Sequence, residues 1–289
     1  MERLLVVDVH DVCWRLFVAG YPRVTKAGRD ARVVSAVVSW LRSFARELKI
    51  SDVVAVGDSI CVMRRKLWPS YRNGGRPRPP EYFEHEFAVM EYFKATGWWY
   101  LSKDGASAGD LVASFLRSYP AEDTYLWSAS IGLSQLVSGR VYRVWRRKGS
   151  VVIHDEETIR QRLNGVSGDQ IAEWRALVGD VGEGIPGVDG VSANWASRII
   201  CEFGGVDRVL EGNTSAPGWL RERLERGFES YQMSVKLARL RVLHGSWKRS
   251  LVHAKERDVG KLRKLEEEWG IERVSEKRTT FRQWELPLL

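Results

Sequence analysis

Apolar positions along this chain follow two periods. Leu4 to Val7 is an unbroken apolar run closed by Asp8, the pattern of a strand covered on both faces. From Val33 to Leu48 the apolar residues recur three and four apart, which predicts a helix. Val53 to Val56 repeats the apolar run, and Asp58 follows it. Strand, helix and strand, with a carboxylate just past each strand, predict a βαβ unit. Ligands of parallel sheets gather at the carboxyl ends of the strands. Helical spacing resumes over Glu81 to Thr96 and again over Ala108 to Tyr119. Thr124 to Trp127 reads as a strand, with the short segment Ser134 to Val137 after it. Val141 to Trp145 and Val151 to Ile153 read as a strand pair joined by the basic turn Arg146-Arg147-Lys148-Gly149. Asp169 to Leu177 and Ala193 to Phe203 are predicted helices, and from Trp219 onward the chain reads as helices. The expected fold class is α/β, a mostly parallel sheet flanked by helices and followed by a helical C-terminal region.

Two stretches break these patterns. Ser59 to Pro80 carries six basic residues (Arg64, Arg65, Lys66, Arg72, Arg76, Arg78), no acid, four prolines and two glycines, so it predicts an exposed excursion. Gly179 to Val191 is rich in glycine and reads as a tight loop before the helix at Ala193. Composition narrows the function. The 289 residues carry a net charge of +8, which favours a polyanionic partner, nucleic acid first. No apolar run approaches the roughly 18–20 residues needed to cross a bilayer. The N-terminus lacks the basic start and cleavage site of a signal peptide. The expectation is an intracellular protein, cytoplasmic or nucleoid-associated, with no membrane partner. Cys13, Cys61 and Cys201 are far apart and the five histidines are scattered, a pattern that argues against a zinc site or disulfide framework.

The segments LLVVD (4–8), MRRKLWPSYRNGGRPRPP (63–80), LVGDVGEGIPGVDGV (177–191) and CEFGGVDRVL (201–210) occur in an order that resembles the 5′ nuclease family. That family comprises flap endonucleases, phage 5′–3′ exonucleases and the N-terminal nuclease domain of bacterial DNA polymerase I, bacterial or phage-like proteins. The resemblance implies a PIN-like core over 1–178 with a basic helical arch over 62–96. A helix-hairpin-helix-like DNA-binding region over 179–250 and a helical extension with a tail over 251–289 would follow. It also implies two magnesium or manganese ions, held roughly 4 Å apart by carboxylates, that activate water against a phosphodiester. Asp8, Asp58, Asp110, Asp180 and Glu183 fall at ligand positions of that cage. Ser107, Gly109, Ser130 and Gly132 stand where the family has acids. Four missing carboxylates imply lost or strongly reduced cleavage, with at most one weak metal site. The alternative is an active 5′–3′ exonuclease or flap endonuclease with an unusual carboxylate set.

Losing metal ligands need not abolish DNA binding, which rests on cations and backbone amides. The resemblance places Arg64, Arg65, Lys66, Arg72, Arg76 and Arg78 along the arch that a 5′ single strand traverses. Read alone, they are a solvated basic loop. Gly187, Gly190, Ser192 and Arg198 fall at the turn that grips duplex backbone, where relatives often bridge a monovalent cation. Read alone, that stretch is an ordinary helix start. Arg146, Arg147 and Lys148 are a further basic tip. His10 and Asp11 read equally as structural or catalytic. The tail residues Gln283, Leu286 and Leu288 resemble the peptides that bind a sliding clamp, and a tail packed on its own core is the other reading. The expected partner is branched, flapped or 5′-ended DNA in replication or repair.

Overall fold

The structure is a computed structural model that describes residues 3–271 apart from 21–22, 26, 74–76, 120, 122, 213 and 254–255. Arg76 and the tail carrying Gln283, Leu286 and Leu288 lie outside the described residues.

The chain opens with strand β1 (Arg3–Asp8), in which every position from Leu4 to Asp8 is buried. Helix α1 (Val9–Ala19) follows at once, with the Asp8 carboxylate capping it through the Asp11 N–H. Helix α2 (Arg32–Glu47) buries Val33, Val34, Val37, Val38, Leu41 and Phe44, the stripe that the 3.6-residue period requires. Strand β2 (Asp52–Val56) is buried throughout. The basic excursion holds a short helix α3 (Val62–Leu67) and returns through helix α4 (Pro80–Ala95), whose first residue is a proline, where a missing N–H is tolerated. Strand β3 (Trp99–Leu101), helix α5 (Ala108–Ser118) and strand β4 (Asp123–Trp127) come next. A 3-10 turn over Ile131–Leu136 leads to strands β5 (Val141–Arg147) and β6 (Ser150–His154). Ser134 to Val137 therefore lies mostly in this turn and not in a strand.

Helices α6 (Glu156–Arg162), α7 (Ile171–Val178), α8 (Ala193–Cys201), α9 (Val206–Leu210), α10 (Gly218–Arg226) and α11 (Phe228–Ala238) form the second half. The all-helical reading beyond Trp219 needs one correction. Strand β7 (Leu251–His253) intervenes before helix α12 (Val259–Glu268). It pairs antiparallel with β3, a long-range partner that three residues cannot signal by period.

The sheet has seven strands in the order β6-β5-β4-β1-β2-β3-β7. β1 pairs in parallel with both β2 and β4, while β6 and β7 are antiparallel edges. The chain builds outward from β1 in one direction through β2 and β3, then resumes on its other side with β4. The crevice at such a reversal, beyond the carboxyl ends of the strands, is where α/β sheets hold ligands. Asp8 ends β1, Asp58 follows β2 and Ser128 follows β4, so all three face it. One core packs α1, α2, α4 and α12 on one side of the sheet, and a second packs α5 with Trp247 on the other. A third core joins α7, α8, α9 and α10 around Ile171, Leu177, Ile199 and Leu220. Among the described residues, no helix is long and apolar enough to cross a membrane.

Candidate nucleic-acid interface and carboxylate crevice

Four of the five acids of the expected cage, Asp58, Asp110, Asp180 and Glu183, each meet an arginine. Asp110 sits in the first turn of α5, 1% exposed, and Arg64 is 3% exposed beside it. The Arg64 guanidinium forks onto both carboxylate oxygens, at 2.5 and 2.9 Å. It also donates to the carbonyls of Leu237 and Arg239 at 2.8 Å each. This removes Arg64 from the surface open to a strand, contrary to its placement among the arch cations. A helix with apolar neighbours and no other route to water explains the burial: only a paired charge is tolerated there.

Arg72 bridges two acids. Its Nη1 lies 2.5 Å from Asp58, and its Nη2 lies 2.9 Å from Glu183. The Tyr71 hydroxyl donates to the same Glu183 carboxylate at 2.6 Å. Burial alone raises the Glu183 carboxyl, but the Arg72 charge outweighs it, with help from Arg175 and Tyr71, and holds it at about 2. Burial and the Glu183 charge push the Tyr71 phenol far up, so it stays a donor. Asp58 also caps α5 by accepting from the Ala108 N–H at 2.7 Å. Arg175, from α7, donates to Asp180 at 2.7 Å.

Asp8 is the exception. The Ser128 hydroxyl bridges it to Asp11, with the Asp11 contact at 3.0 Å. Burial first, and then the charges of Asp11 and Asp58, raise its carboxyl to about 7. Arg143 lies behind this pair and donates to Ser134 at 2.6 Å and the Ser128 carbonyl at 3.2 Å. Burial pulls its guanidinium down to about 10. His10 pairs with Glu86 at 2.7 Å.

The four replaced positions are built into this arrangement. The Ser107 hydroxyl caps α5 by accepting from the Asp110 N–H. A side chain at Gly109 would meet Leu240 at 2.8 Å, and one at Gly132 would meet the Arg175 guanidinium at 2.9 Å. Ser130 donates its N–H to the Ser128 hydroxyl at 3.1 Å. Magnesium needs several carboxylate or water oxygens free to face the ion. Here Asp58, Asp110, Asp180 and Glu183 each direct oxygens at a guanidinium. Among the described residues, no three His, Cys, Asp or Glu side chains converge as a metal would require. The donor set does not fit a two-ion centre.

The remaining basic side chains of the arch are placed differently. Lys66 is exposed and Arg65 half-buried. Arg78 packs over the rings of Trp14 and Tyr82, 5.2 Å from each centroid. In the glycine-rich loop, Gly184 has φ +67° and approaches the backbone of Ser70 so closely that a Cβ would stand 2.5 Å from its carbonyl. Only glycine serves there. The backbone of Gly187 faces inward, its N–H donating to Ser234 and its carbonyl accepting from Ser230. Ser192 caps α8 with an exposed N-terminal turn. Arg198 is exposed on α8, pairs with Glu202 at 2.6 Å and covers the Trp195 ring at 4.4 Å. Arg223 lies over Gly190 and donates to the Asp189 carbonyl at 3.3 Å, adding a cation to this turn.

Sequence reading missed Arg175, Arg223, Arg143 and Ser128. Arg175 left a signal, since it interrupts the apolar face formed by Ile171, Ala172 and Ala176. A charge at a core position of a helix requires a partner. Arg223 left none, because its partner Asp189 lies 34 residues away, beyond α8 and α9.

Comparisons with known proteins agree with this fold. Residues 3–164 match the 5'-3' exonuclease N-terminal resolvase-like domain, and residues 166–246 match the 5'-3' exonuclease C-terminal SAM fold. The chain is 27% identical over 244 residues to the thermostable DNA polymerase I of Thermus caldophilus, covering 83% of this chain and 29% of that one. It thus spans less than a third of the curated relatives it first matches. It is 26% identical over 249 residues to a 5'-3' exonuclease of Aquifex aeolicus, covering 83% of this chain and 82% of that one. In fold it resembles a bacteriophage T5 flap endonuclease variant crystallised as a pseudo-enzyme–product complex with DNA and metal ions. The TM-score is 0.68 and the identity 21%, covering 93% of this chain and 98% of that one. The catalytic core of Rad2 with DNA substrate gives 0.59 and 17%, covering 93% and 86%.

Proposed function

Because the chain belongs to the 5′–3′ exonuclease family, we propose that it binds branched, flapped or 5′-ended DNA in replication or repair with lost or strongly reduced cleavage. One observation carries the reading: a guanidinium engages each of Asp58, Asp110, Asp180 and Glu183. An empty carboxylate cage repels both itself and an approaching phosphodiester until ions neutralise it. Fixed arginines do the same neutralising without an ion, but they activate no water. The crevice therefore suits a phosphate backbone, while its carboxylates, turned to arginine, are not set to hold the ions that would hydrolyse it. Lys66, Arg65, the exposed N-terminus of α8 and Arg223 supply further positive charge and amides. A monovalent cation at the 187–192 turn and a sliding clamp at residues 283–289 remain parts of this reading.

The second reading is an active magnesium- or manganese-dependent nuclease. It is favoured by the Asp8–Asp11 pair, which Ser128 bridges and which the three crevice arginines leave alone. A cleavage assay on a 5′-flap substrate, with magnesium or manganese, separates the two. We expect binding without product, and calorimetry on the DNA-free protein should find no tight divalent-ion site. Turnover comparable to that of an active relative, or two tight sites, would overturn the binding reading.

A further inference from the structure

A cavity of about 360 Å³ lies between α3 and the end of α11. Its lining is divided by chemistry. Met63 and Leu67, one helical turn apart on α3, join Val235 as the apolar part. Lys236, Arg239 and Arg241 are the cationic part, and no acid lines the cavity. These cations are open to a ligand. The Lys236 ammonium has no ion pair or hydrogen bond among the described residues. The Arg241 guanidinium meets a neutral sulfur, Met63 Sδ, at 2.8 Å. Arg239 is 60% exposed and makes a loose contact of 3.8 Å with Glu173. Arg64 also lines the cavity, but its guanidinium is committed to Asp110. The apolar part is open to water as well. Met63 and Leu67 are 48% and 43% exposed, and their neighbours Ile60 and Val62 are 44% and 50% exposed. Single exposed apolar residues need no explanation, but a group of four within eight positions marks an interaction site.

We propose that this cavity holds one unpaired nucleotide of a single-stranded DNA arm, an inference that rests on the proposed binding of branched DNA. A ligand that fits the lining must offer an apolar face and an anion together. An unpaired nucleotide does so with its base and its phosphodiester, whereas a paired one keeps its base faces stacked inside the duplex. The polarizable Met63 thioether suits a ring, and Leu67 and Val235 extend the apolar contact. Lys236 and Arg241 supply charge-assisted donors to phosphate oxygens. The volume sits at the lower end of small-ligand pockets, roughly 300–1,000 Å³, so it admits one nucleotide and excludes a duplex. Position favours a strand over an acidic peptide. The Arg241 N–H donates to Asp110 at 2.9 Å, and Arg64 forks onto the same carboxylate. The cavity thus shares with the crevice the two residues that hold Asp110, and a backbone lying at the crevice has the cavity as its neighbour.

The test titrates the full chain, without divalent ions, against three labelled DNAs: a 5′-flap, the same flap with abasic nucleotides in its arm, and a nicked duplex without an arm. Wild type should bind the intact flap at least about fivefold more tightly than the abasic flap, the lower end of what one base contact is worth. M63A/L67A should lose that preference and match wild type on the nicked duplex. K236A/R241A should weaken both flaps, lower their salt slope by about 1.4, as two single-strand phosphate contacts imply, and leave the nicked duplex unchanged. The charge-matched control R117A/R160A changes exposed arginines outside the cavity and should show no arm-dependent loss. Melting temperatures matching the wild type verify folding, and the wild-type comparison of the two flaps needs no variant. If wild type binds none of the three DNAs, the DNA-binding reading fails and this proposal with it. If wild type binds them but does not prefer the intact arm, or if the cavity variants lose no more than the control, the proposal alone is overturned. Cavity variants that bind every DNA like wild type but lose an acidic, leucine-rich peptide would assign the cavity to a protein partner and overturn it equally.

Discussion

Replacing Arg64 with alanine isolates the most buried charge pair of the crevice. Arg64 and Asp110 are 3% and 1% exposed, so neither charge has water to turn to. The substitution removes the fork at 2.5 and 2.9 Å and leaves Asp110 with the Arg241 N–H at 2.9 Å. It also strips donors from the Leu237 and Arg239 carbonyls. Breaking such a pair from one side costs about 3–5 kcal/mol, because a charge stays behind without compensation. For a chain of this size that corresponds to a fall of roughly 6–20 °C in Tm. Urea titration and scanning calorimetry give the value. The double variant R64A/D110N removes the stranded charge and should recover part of the loss, on the order of half, since the two orphaned carbonyls remain. A loss within about 1 kcal/mol of wild type, the scale of a surface pair, would refute the reasoning. So would a double variant no more stable than R64A.

Asp8 predicts a pH response of opposite sign to the usual carboxylate. Its folded pKa is about 7 against an ordinary 3.8, so its stability contribution is full below about 4 and is lost as pH rises through 7. D8N should therefore gain stability over wild type, on the order of a few kcal/mol at pH 8 and less at pH 5, read from Tm across that window. Equal gains at both pH values would count against it. Glu183 does not interfere, because its contribution is present above 4.5 and lost only as pH falls toward about 2. On α8, E202Q releases Arg198 from its partner and should tighten flap-DNA binding by about two- to threefold at low salt, read by fluorescence anisotropy. Unchanged or weaker binding would mean that Arg198 does not face the backbone.

Much of the fold was legible because period and burial coincide. The apolar run Leu4–Val7 and the stripe Val33–Phe44 are buried where their spacing demands. Helix α1 went unread because His10 and Asp11 break its apolar pattern near the start, although the Asp8 cap was in plain view. Strands β3 and β7 are three residues each and exist through long-range pairing. The resemblance singled out Asp8, Asp58, Asp110, Asp180 and Glu183, but not the arginines that engage the last four. Arg64 and Arg72 read as surface cations because a basic, proline-rich stretch carries no signal of which side chain turns inward. That choice depends on α5, the signature loop and the 237–239 carbonyls, all remote in sequence.

The close approach of Gly184 to Ser70 has a mechanical consequence. The Arg72 N–H donates to the Glu183 carbonyl at 2.9 Å, so the basic excursion and the glycine-rich loop meet backbone to backbone along a stiff seam. Residues 70–72 are therefore the point at which the excursion is tied to the loop. A pull on the excursion's outer part bears first on the 180–185 loop, then through Asp180 and Arg175 on the end of α7. A displacement of residues 70–72 is thereby passed to the helical second half of the chain.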